Sequence, residues 1–207
     1  MSIQHSGKVK RAVALVSFLM RRLSATAFLN ALHGAADKRE TVMNIVLHQP
    51  EIPQNAGNIA RTCACTGSSL HLIRPLGFRL GEKHLKRAGL DYWDKLDVHV
   101  YDNFEDFLEK NPGAKIFMAT TKGPRKYTDV SYGSDDFIMF GKETAGIPED
   151  ILARYKETSI RIPMLNELRS LNLANSVSIV LYEALRQLDF PGMQTAGELR
   201  NYRWDDL

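Results

Sequence analysis

The sequence has little cysteine and no long apolar run, and these two absences exclude several classes of protein. Only Cys63 and Cys65 are present among its 207 residues. Two cysteines are too few for a disulfide framework or a four-cysteine zinc site, and positions one residue apart do not bridge comfortably. No stretch approaches the roughly 18 apolar residues of a membrane span. We therefore expect a protein of a reducing compartment, cytoplasmic and without a membrane partner.

Net charge is also scarce, and it is concentrated at one end of the chain. The formal charge is +3, from 27 Lys/Arg and 24 Asp/Glu. Residues 1–42 carry a net of +5, which leaves a net of −2 for residues 43–207. A nucleic-acid surface on residues 43–207 must therefore be a local patch. One dense basic cluster, followed by two aromatic residues, suits either an RNA backbone or an ordinary solvated face: Arg79, Lys83, His84, Lys86, Arg87, Tyr92 and Trp93.

Residues 1–42 differ in character from the rest of the chain. An apolar stretch at 12–20 lies between basic flanks, and an Ala- and Leu-rich segment follows at 24–32. Signal peptides share this outline, but no convincing cleavage site follows it. A helical leader, a targeting segment, an upstream start or poor order fits the same residues. We expect residues 1–42 to be an N-terminal extension, 43–192 one domain, and 193–207 a C-terminal tail.

From residue 43 onward, apolar strands alternate with helical patterns. Strands are predicted at Met43–His48, Ser69–Ile73, Asp97–Tyr101, Lys115–Thr120, Phe137–Phe140 and Ser159–Ile162. Helices are predicted from a cap at Asn55 to about Thr66, within Gly77–Leu90, over Phe104–Glu109, and after a cap at Ser170 or Asn172. The alternation indicates an α/β domain with a mainly parallel sheet flanked by helices. In such sheets ligands bind at the carboxyl ends of the strands.

Three polar loops follow predicted strands and should converge at that edge. In the first, 55–61, a phosphate would explain an arginine close to a helix start, although an exposed surface arginine fits equally well. In the second, 141–146, Ile147 and Pro148 stand where a Walker A loop needs lysine and a hydroxyl, so nucleotide hydrolysis is a poor fit. In the third, 163–175, backbone groups can hold a polar ligand edge, with Ile162 and Leu171 on its apolar face.

Three segments together resemble the motifs of the SPOUT class of S-adenosylmethionine-dependent RNA methyltransferases: Pro50–Arg61, Phe140–Pro148 and Ile160–Val177. The likeness covers residues 43–192. The segment lengths and the intervening Arg87–Tyr92 are most similar to those of the small members of the class. These members methylate the ribose 2′-oxygen of cytidine 34 or uridine 34, the wobble nucleotide of tRNA. The resemblance implies a deep C-terminal trefoil knot, which is a rare exception to unknotted topology. It also implies an obligate homodimer and the tRNA anticodon loop as partner.

The resemblance further implies S-adenosyl-L-methionine as cofactor, no metal, and a set of site residues. In-line methyl transfer needs the two reacting atoms held in alignment. Arg61 matches the catalytic arginine of the class. Because a guanidinium does not readily lose its proton, we interpret Arg61 as positioning a phosphate and stabilising the nascent alkoxide, with Asn58 and Asn175 orienting it or the ribose. The implied cofactor-binding residues are Ala119, Gly141, Ile162, Ser170 and Leu171, with Glu143 and Asn172 nearby.

Two alternatives are a methyltransferase of rRNA or of another tRNA position, and a non-catalytic RNA-binding module of the same fold. The presence of Arg61, Glu143, Ser170 and Asn172 favours an enzyme over the second. The apolar faces of the helices at Asn55 and Asn172 exceed what one small sheet can cover. We therefore expect five of their residues at a dimer interface: Ile59, Cys63, Val177, Val180 and Leu181.

Overall fold

The structure, a computed structural model, describes residues 42–79 and 96–206. The predictions for the N-terminal extension and for the helix within Gly77–Leu90 fall almost wholly outside these residues. So do those for Lys83, His84, Lys86, Arg87, Tyr92 and Trp93. Arg79, the first member of the basic cluster, is described and exposed.

Seven strands of the described chain form one sheet, and every strand pairing in it is parallel. They are β1 Asn44–His48, β2 Ser69–Ile73, β3 Val98–Tyr101, β4 Ile116–Ala119, β5 Arg125–Lys126, β6 Phe137–Phe140 and β7 Ser159–Arg161. The order across the sheet is β3-β2-β1-β6-β4-β7-β5. The mainly parallel sheet and all six expected strands are thereby confirmed. The sequence analysis missed β5, because its two exposed residues carry no apolar pattern.

Of the four α-helices within the described residues, three connect strands and the fourth follows β7. They are α1 Pro53–Thr66, α2 Phe104–Lys110, α3 Glu149–Arg154 and α4 Leu173–Gln187, with short 3-10 turns at Lys156–Thr158 and Trp204–Asp206. The six-residue α3 is too short to show a clear helical period, so the sequence did not predict it. At α4 the cap is Asn172, whose Oδ1 accepts hydrogen bonds from the N–H groups of Ala174 (2.9 Å) and Asn175 (3.3 Å).

The predicted cap of α1, Asn55, is wrong. The helix begins at Pro53, and Ile52 occupies the cap position without a side-chain hydrogen bond. Proline suits the first helical position because it lacks the N–H that would need a partner there. Asn55 is therefore inside the first turn and only 6% exposed. Arg61 is the ninth residue of the helix, beyond the first turn where the helix dipole acts, so the dipole says nothing about its ligand.

The sheet separates two apolar cores, one under α1 and α4 and one under α2 and α3. In the first core α1 packs against α4. Their mutual packing leaves no exposed surface on the five residues expected at a dimer interface, Ile59, Cys63, Val177, Val180 and Leu181. The argument that placed these residues between protomers is therefore wrong, because each helix covers the other.

A buried hydrogen-bond network begins at the amino ends of β1 and β2; we call it the amino-end network (Asn44, Ser69, His71 and Tyr101). His71 Nε2 lies 2.8 Å from Ser69 Oγ, and its Nδ1 lies 2.8 Å from the Tyr101 hydroxyl. Ser69 Oγ donates to Asn44 Oδ1 at 2.6 Å. The network thus fits a neutral imidazole with its proton on Nε2. Burial, helped by His99, lowers the pKa of His71 to about 3.

Candidate functional site

A cavity of about 750 Å³ opens at the carboxyl ends of β4, β6 and β7. This volume lies in the range of roughly 300–1,000 Å³ found for ligand pockets. Its walls come mainly from segments 119–122, 140–147, 160–164 and 169–173, together with the starts of α1 and α4. The convergence of strand-end loops expected from the sequence is therefore present, because all seven strands point the same way.

All seven residues expected to bind the cofactor line this cavity: Ala119, Gly141, Glu143, Ile162, Ser170, Leu171 and Asn172. Gly141 has a steric reason to be glycine, since a Cβ atom there would overlap the backbone of Gly146 and Ile147. The loop closes on itself through a 2.8 Å hydrogen bond from the Gly146 N–H to the Lys142 carbonyl. Glycine at position 141 therefore lets the two ends of this loop approach each other closely.

Glu143 joins this loop to the start of α1. Its carboxylate accepts hydrogen bonds from the backbone N–H groups of Glu51 (2.8 Å) and Ile52 (3.2 Å) and from the Asn55 side-chain amide (2.9 Å). Glu51 reciprocates, because its own carboxylate accepts from the Thr144 N–H at 3.2 Å. An anion at the beginning of a helix is also favoured by the helix dipole. Glu143 therefore accepts the hydrogen bonds at the start of α1, a role that the sequence analysis assigned to Asn55 as a cap.

Asn55 in turn contacts the loop that leads into α4. Its Oδ1 accepts a hydrogen bond from Asn172 Nδ2 at 3.0 Å. We call Glu143, Asn55 and Asn172 the carboxyl-end network. All three residues line the cavity. The sequence analysis did not single out Asn55 as a site residue, since its partners are 88 and 117 positions away along the chain.

The three residues expected to be catalytic, Asn58, Arg61 and Asn175, do not line the cavity. Asn58 and Arg61 are exposed on α1, and Asn175 is exposed in the first turn of α4. Because α1 and α4 pack together, these side chains project from a pair of helices whose amino ends border the cavity. Side chains on such a surface can reach a large partner that also enters the cavity.

Positive charge predominates in the cavity wall. Its charged residues, within the described chain, are Glu143 and four cations: Lys122, Lys142, Arg161 and Arg169. Lys122 forms an ion pair with Glu149 at 2.5 Å. Cations beside an open cavity favour an anionic partner such as a nucleic-acid backbone. The sequence analysis did not identify these cations, because they lie on separate segments.

Within residues 42–79 and 96–206, no helix combines the length and apolar character that crossing a membrane requires. In the same part of the chain, no group of three His, Cys, Asp or Glu side chains is arranged to hold a metal ion.

The parallel sheet with a cavity at its strand ends is an α/β fold, and solved structures of RNA methyltransferases share it with TM-scores of 0.71 and 0.64. Residues 42–182 match the SpoU rRNA methylase family. A solved structure described as giving structural insights into the 2-OH methylation of C/U34 on tRNA aligns with a TM-score of 0.68 and 49% identity, covering 71% of this chain and 96% of that one. The chain belongs to the SpoU methylase family and is a methyltransferase.

The alignment with this chain covers nearly the whole length of two relatives. The tRNA (cytidine(34)-2′-O)-methyltransferase of Escherichia coli K12 is 50% identical over 152 residues, which are 73% of this chain and 97% of the relative. That of Methylovorus glucosotrophus is 47% identical over 152 residues, 73% of this chain and 99% of the relative. A more distant structure, an AdoMet-bound rRNA methyltransferase from Sinorhizobium meliloti, has 26% identity and a TM-score of 0.64 and covers 74% of this chain and 59% of that one.

Proposed function

We propose that the protein methylates the ribose 2′-hydroxyl of the wobble nucleotide of tRNA, cytidine 34 or uridine 34, with S-adenosyl-L-methionine as methyl donor. The observation that carries the proposal is the single cavity lined by all seven residues expected to contact the cofactor. The relatives' names support the choice of tRNA and of position 34. We also propose that it acts in the cytoplasm and that the chain around 141–172 forms the trefoil knot of its class.

The cavity suits the cofactor in shape and chemistry. When bound, S-adenosylmethionine supplies an electrophilic methyl group. Ile162 and Leu171 offer apolar surface for a flat ring, and the backbone of Ala119, Gly141 and Ser170 offers polar groups at its edge. Residues of the cavity wall are thus proposed to hold the donor so that its methyl group is aligned with the ribose oxygen.

Arg61 is proposed to act on the RNA side of the reaction. A guanidinium offers several N–H donors in a planar fork, so Arg61 suits binding a phosphate and stabilising negative charge on the 2′-oxygen as the proton leaves. Asn58, one turn earlier on α1, and Asn175 on α4 are proposed to orient Arg61 or the ribose. The exposed position of all three fits contact with a large RNA.

The decisive test maps 2′-O-methylated nucleotides in tRNA and rRNA from cells with and without the protein. It is paired with methylation of transcribed tRNA by the purified enzyme. The proposal expects one protein-dependent methyl group, at nucleotide 34. Methylation confined to rRNA would favour the alternative that the family description suggests. Cofactor binding without transfer to any RNA would favour a binding module.

We further propose a homodimer, with a surface other than the buried one first expected. On the outer side of α4, Ile179 and Tyr182 are 36% and 44% exposed, although both are large apolar residues that a partner subunit would cover. Sedimentation velocity at micromolar concentration should show a dimer, and Ile179→Asp should shift it to monomer. A wild-type monomer under these conditions would contradict the proposal.

A further inference from the structure

Asn55 is buried between two loops that both line the cavity. Its Nδ2 donates to Glu143 Oε1 at 2.9 Å, and its Oδ1 accepts from Asn172 Nδ2 at 3.0 Å. If the amide were turned over, an oxygen would face the carboxylate and an N–H₂ would face another N–H₂. The two partners therefore fix the orientation of the Asn55 amide.

Glu143 and Asn172 are each held by further hydrogen bonds, so a displacement of Asn55 would also displace the segments to which they are bonded. Asn172 Oδ1 accepts the N–H groups of Ala174 and Asn175, which leaves its Nδ2 to point at Asn55. Glu143 accepts two backbone N–H groups from the turn before α1 in addition to Asn55. Moving Asn55 would therefore shift the loop after β6 and the residues just before α4 together.

We infer that Asn55 is a positioning residue of the cofactor site, which holds the loop of Gly141 and Glu143 in register with the loop of Ser170, Leu171 and Asn172. The inference rests on the proposed function, since it takes S-adenosylmethionine as the ligand of the cavity. Asn55 acts through Glu143 and Asn172, and its effect is to bring the two walls to the separation that the ligand needs.

Asparagine suits this position because it offers one donor and one acceptor on a short side chain. Aspartate keeps the acceptor for Asn172 but turns an oxygen towards the Glu143 carboxylate, so that two acceptors oppose each other. Alanine removes both bonds, the one to Glu143 and the one to Asn172, and so releases the two loops from each other. The donor can be restored from the opposite side, because a glutamine introduced in place of Glu143 has an N–H₂ to give to an aspartate introduced in place of Asn55.

The experiment measures the Kd for S-adenosyl-L-homocysteine by isothermal titration calorimetry, well below each variant's Tm. The variants are Asn55→Asp, Glu143→Gln, the double variant, and Gln54→Glu. Gln54 is the exposed neighbour on the same helix, so Gln54→Glu makes the same amide-to-acid change outside the network. We expect Asn55→Asp to weaken binding about tenfold or more and Gln54→Glu to leave it unchanged.

The double variant decides whether the effect passes through Glu143. Combining Asn55→Asp with Glu143→Gln restores a donor–acceptor pair at residue 55 and keeps an acceptor for the Glu51 N–H, but it removes the acceptor that the same Glu143 oxygen offers to the Ile52 N–H. The Kd should therefore recover in part, to at least about threefold tighter than that of Asn55→Asp alone. Two results would overturn the inference: wild-type affinity in Asn55→Asp, or a loss that the double variant does not recover. A purely structural role would lower the Tm and leave the Kd unchanged, which also contradicts it.

The proposed function fails in a different way from this inference. Absence of S-adenosylhomocysteine binding by the wild-type protein would overturn the proposed function and the inference with it. Wild-type binding that Asn55→Asp retains would overturn the inference alone. Binding that follows the expected pattern, without methylation of tRNA, would overturn the proposed RNA substrate and leave the positioning role supported.

Discussion

The two polar networks of this protein differ in charge and in what they face. The amino-end network is neutral and buried, and the rings of His99, Phe107 and Phe137 surround its histidine. The carboxyl-end network contains the Glu143 carboxylate and borders an open cavity. A fully bonded neutral network supports a unique fold, whereas a half-buried charge is weak evidence for stability. The difference indicates that the first network serves the fold and the second serves the site.

The largest effect is expected from Arg61→Ala, which should reduce methyl transfer without reducing cofactor binding. Arg61 is exposed and does not line the cavity. Because Arg61 is proposed to stabilise charge on the 2′-oxygen, single-turnover methyl transfer to tRNA should slow by about 10²–10³-fold, the usual loss when one charge-stabilising donor is removed. The Kd for S-adenosylhomocysteine should stay within about twofold of wild type. An equal loss of cofactor affinity would place Arg61 in the cofactor site. Arg61→Lys, which keeps the charge but loses the planar fork, should fall in between.

His71→Leu should show the opposite pattern, a loss of stability without a loss of binding. The change leaves hydrogen-bonding groups of Ser69 and Tyr101 without their imidazole partner. We expect the free energy of unfolding at pH 7, from urea denaturation, to fall by about 1–3 kcal/mol. The Kd for S-adenosylhomocysteine should be unchanged. A parallel loss of affinity would break the comparison, because the amino-end network would then also serve the site.

The protonation of His71 should also make the free energy of unfolding depend on pH. The folded pKa of His71, about 3, lies below its ordinary value of 6.5. Between these values the unfolded chain binds a proton that the folded chain excludes, so stability falls as the pH is lowered through this window. The contribution is at most about 1.4 kcal/mol per pH unit. This contribution should be missing from the slope of the free energy of unfolding against pH in His71→Leu. Burial also lowers the pKa of His48, which contributes to the slope in both the wild type and the variant. Equal slopes would contradict a neutral buried His71.

The smallest effect is expected from deleting residues 1–42. The match to the methylase family begins at residue 42, and every strand and site residue expected from the sequence follows that position, so the Tm and the Kd for S-adenosylhomocysteine should not change. The deletion removes a net charge of +5. If the extension touched tRNA phosphates, the slope of log affinity against log salt would flatten by roughly 0.7–0.9 per contact. We expect no flattening. A Tm lower by several degrees would instead place the domain boundary before residue 43.

Local patterns made much of the fold predictable. The apolar strands β1, β2 and β6 depend on residues close together in sequence, and each appears where the sequence indicated. The cap of α4, predicted at Ser170 or Asn172, is Asn172. The cavity was predictable because strand-end loops in a parallel sheet must meet. By contrast, β5 consists of two exposed residues paired with β7, and nothing in Arg125–Lys126 itself indicates a strand.

Long-range contacts explain the errors at the site and at the expected interface. Asn55 was taken for a cap because Asn often begins helices, but the anion at α1 comes from Glu143, far along the chain. The apolar faces of α1 and α4 were assigned to a partner subunit because no sequence pattern shows that these helices cover each other. His71 was not predicted to have a role, since two of its partners, Asn44 of β1 and Tyr101 of β3, lie on other strands.

The wide sequence separation within the carboxyl-end network has a consequence for synthesis and folding. Asn55 and Asn172 are 117 positions apart, so at 5–20 residues per second Asn55 is made roughly 6–23 s before its partner. Closing so large a loop is entropically costly, and such contacts form late on the folding pathway. We therefore expect a φ-value near zero at Asn55, so that Asn55→Asp speeds unfolding and leaves the folding rate almost unchanged. A nascent chain that stops short of Asn172 then contains the residues of α1 but cannot form the hydrogen bond that joins Asn55 to the start of α4.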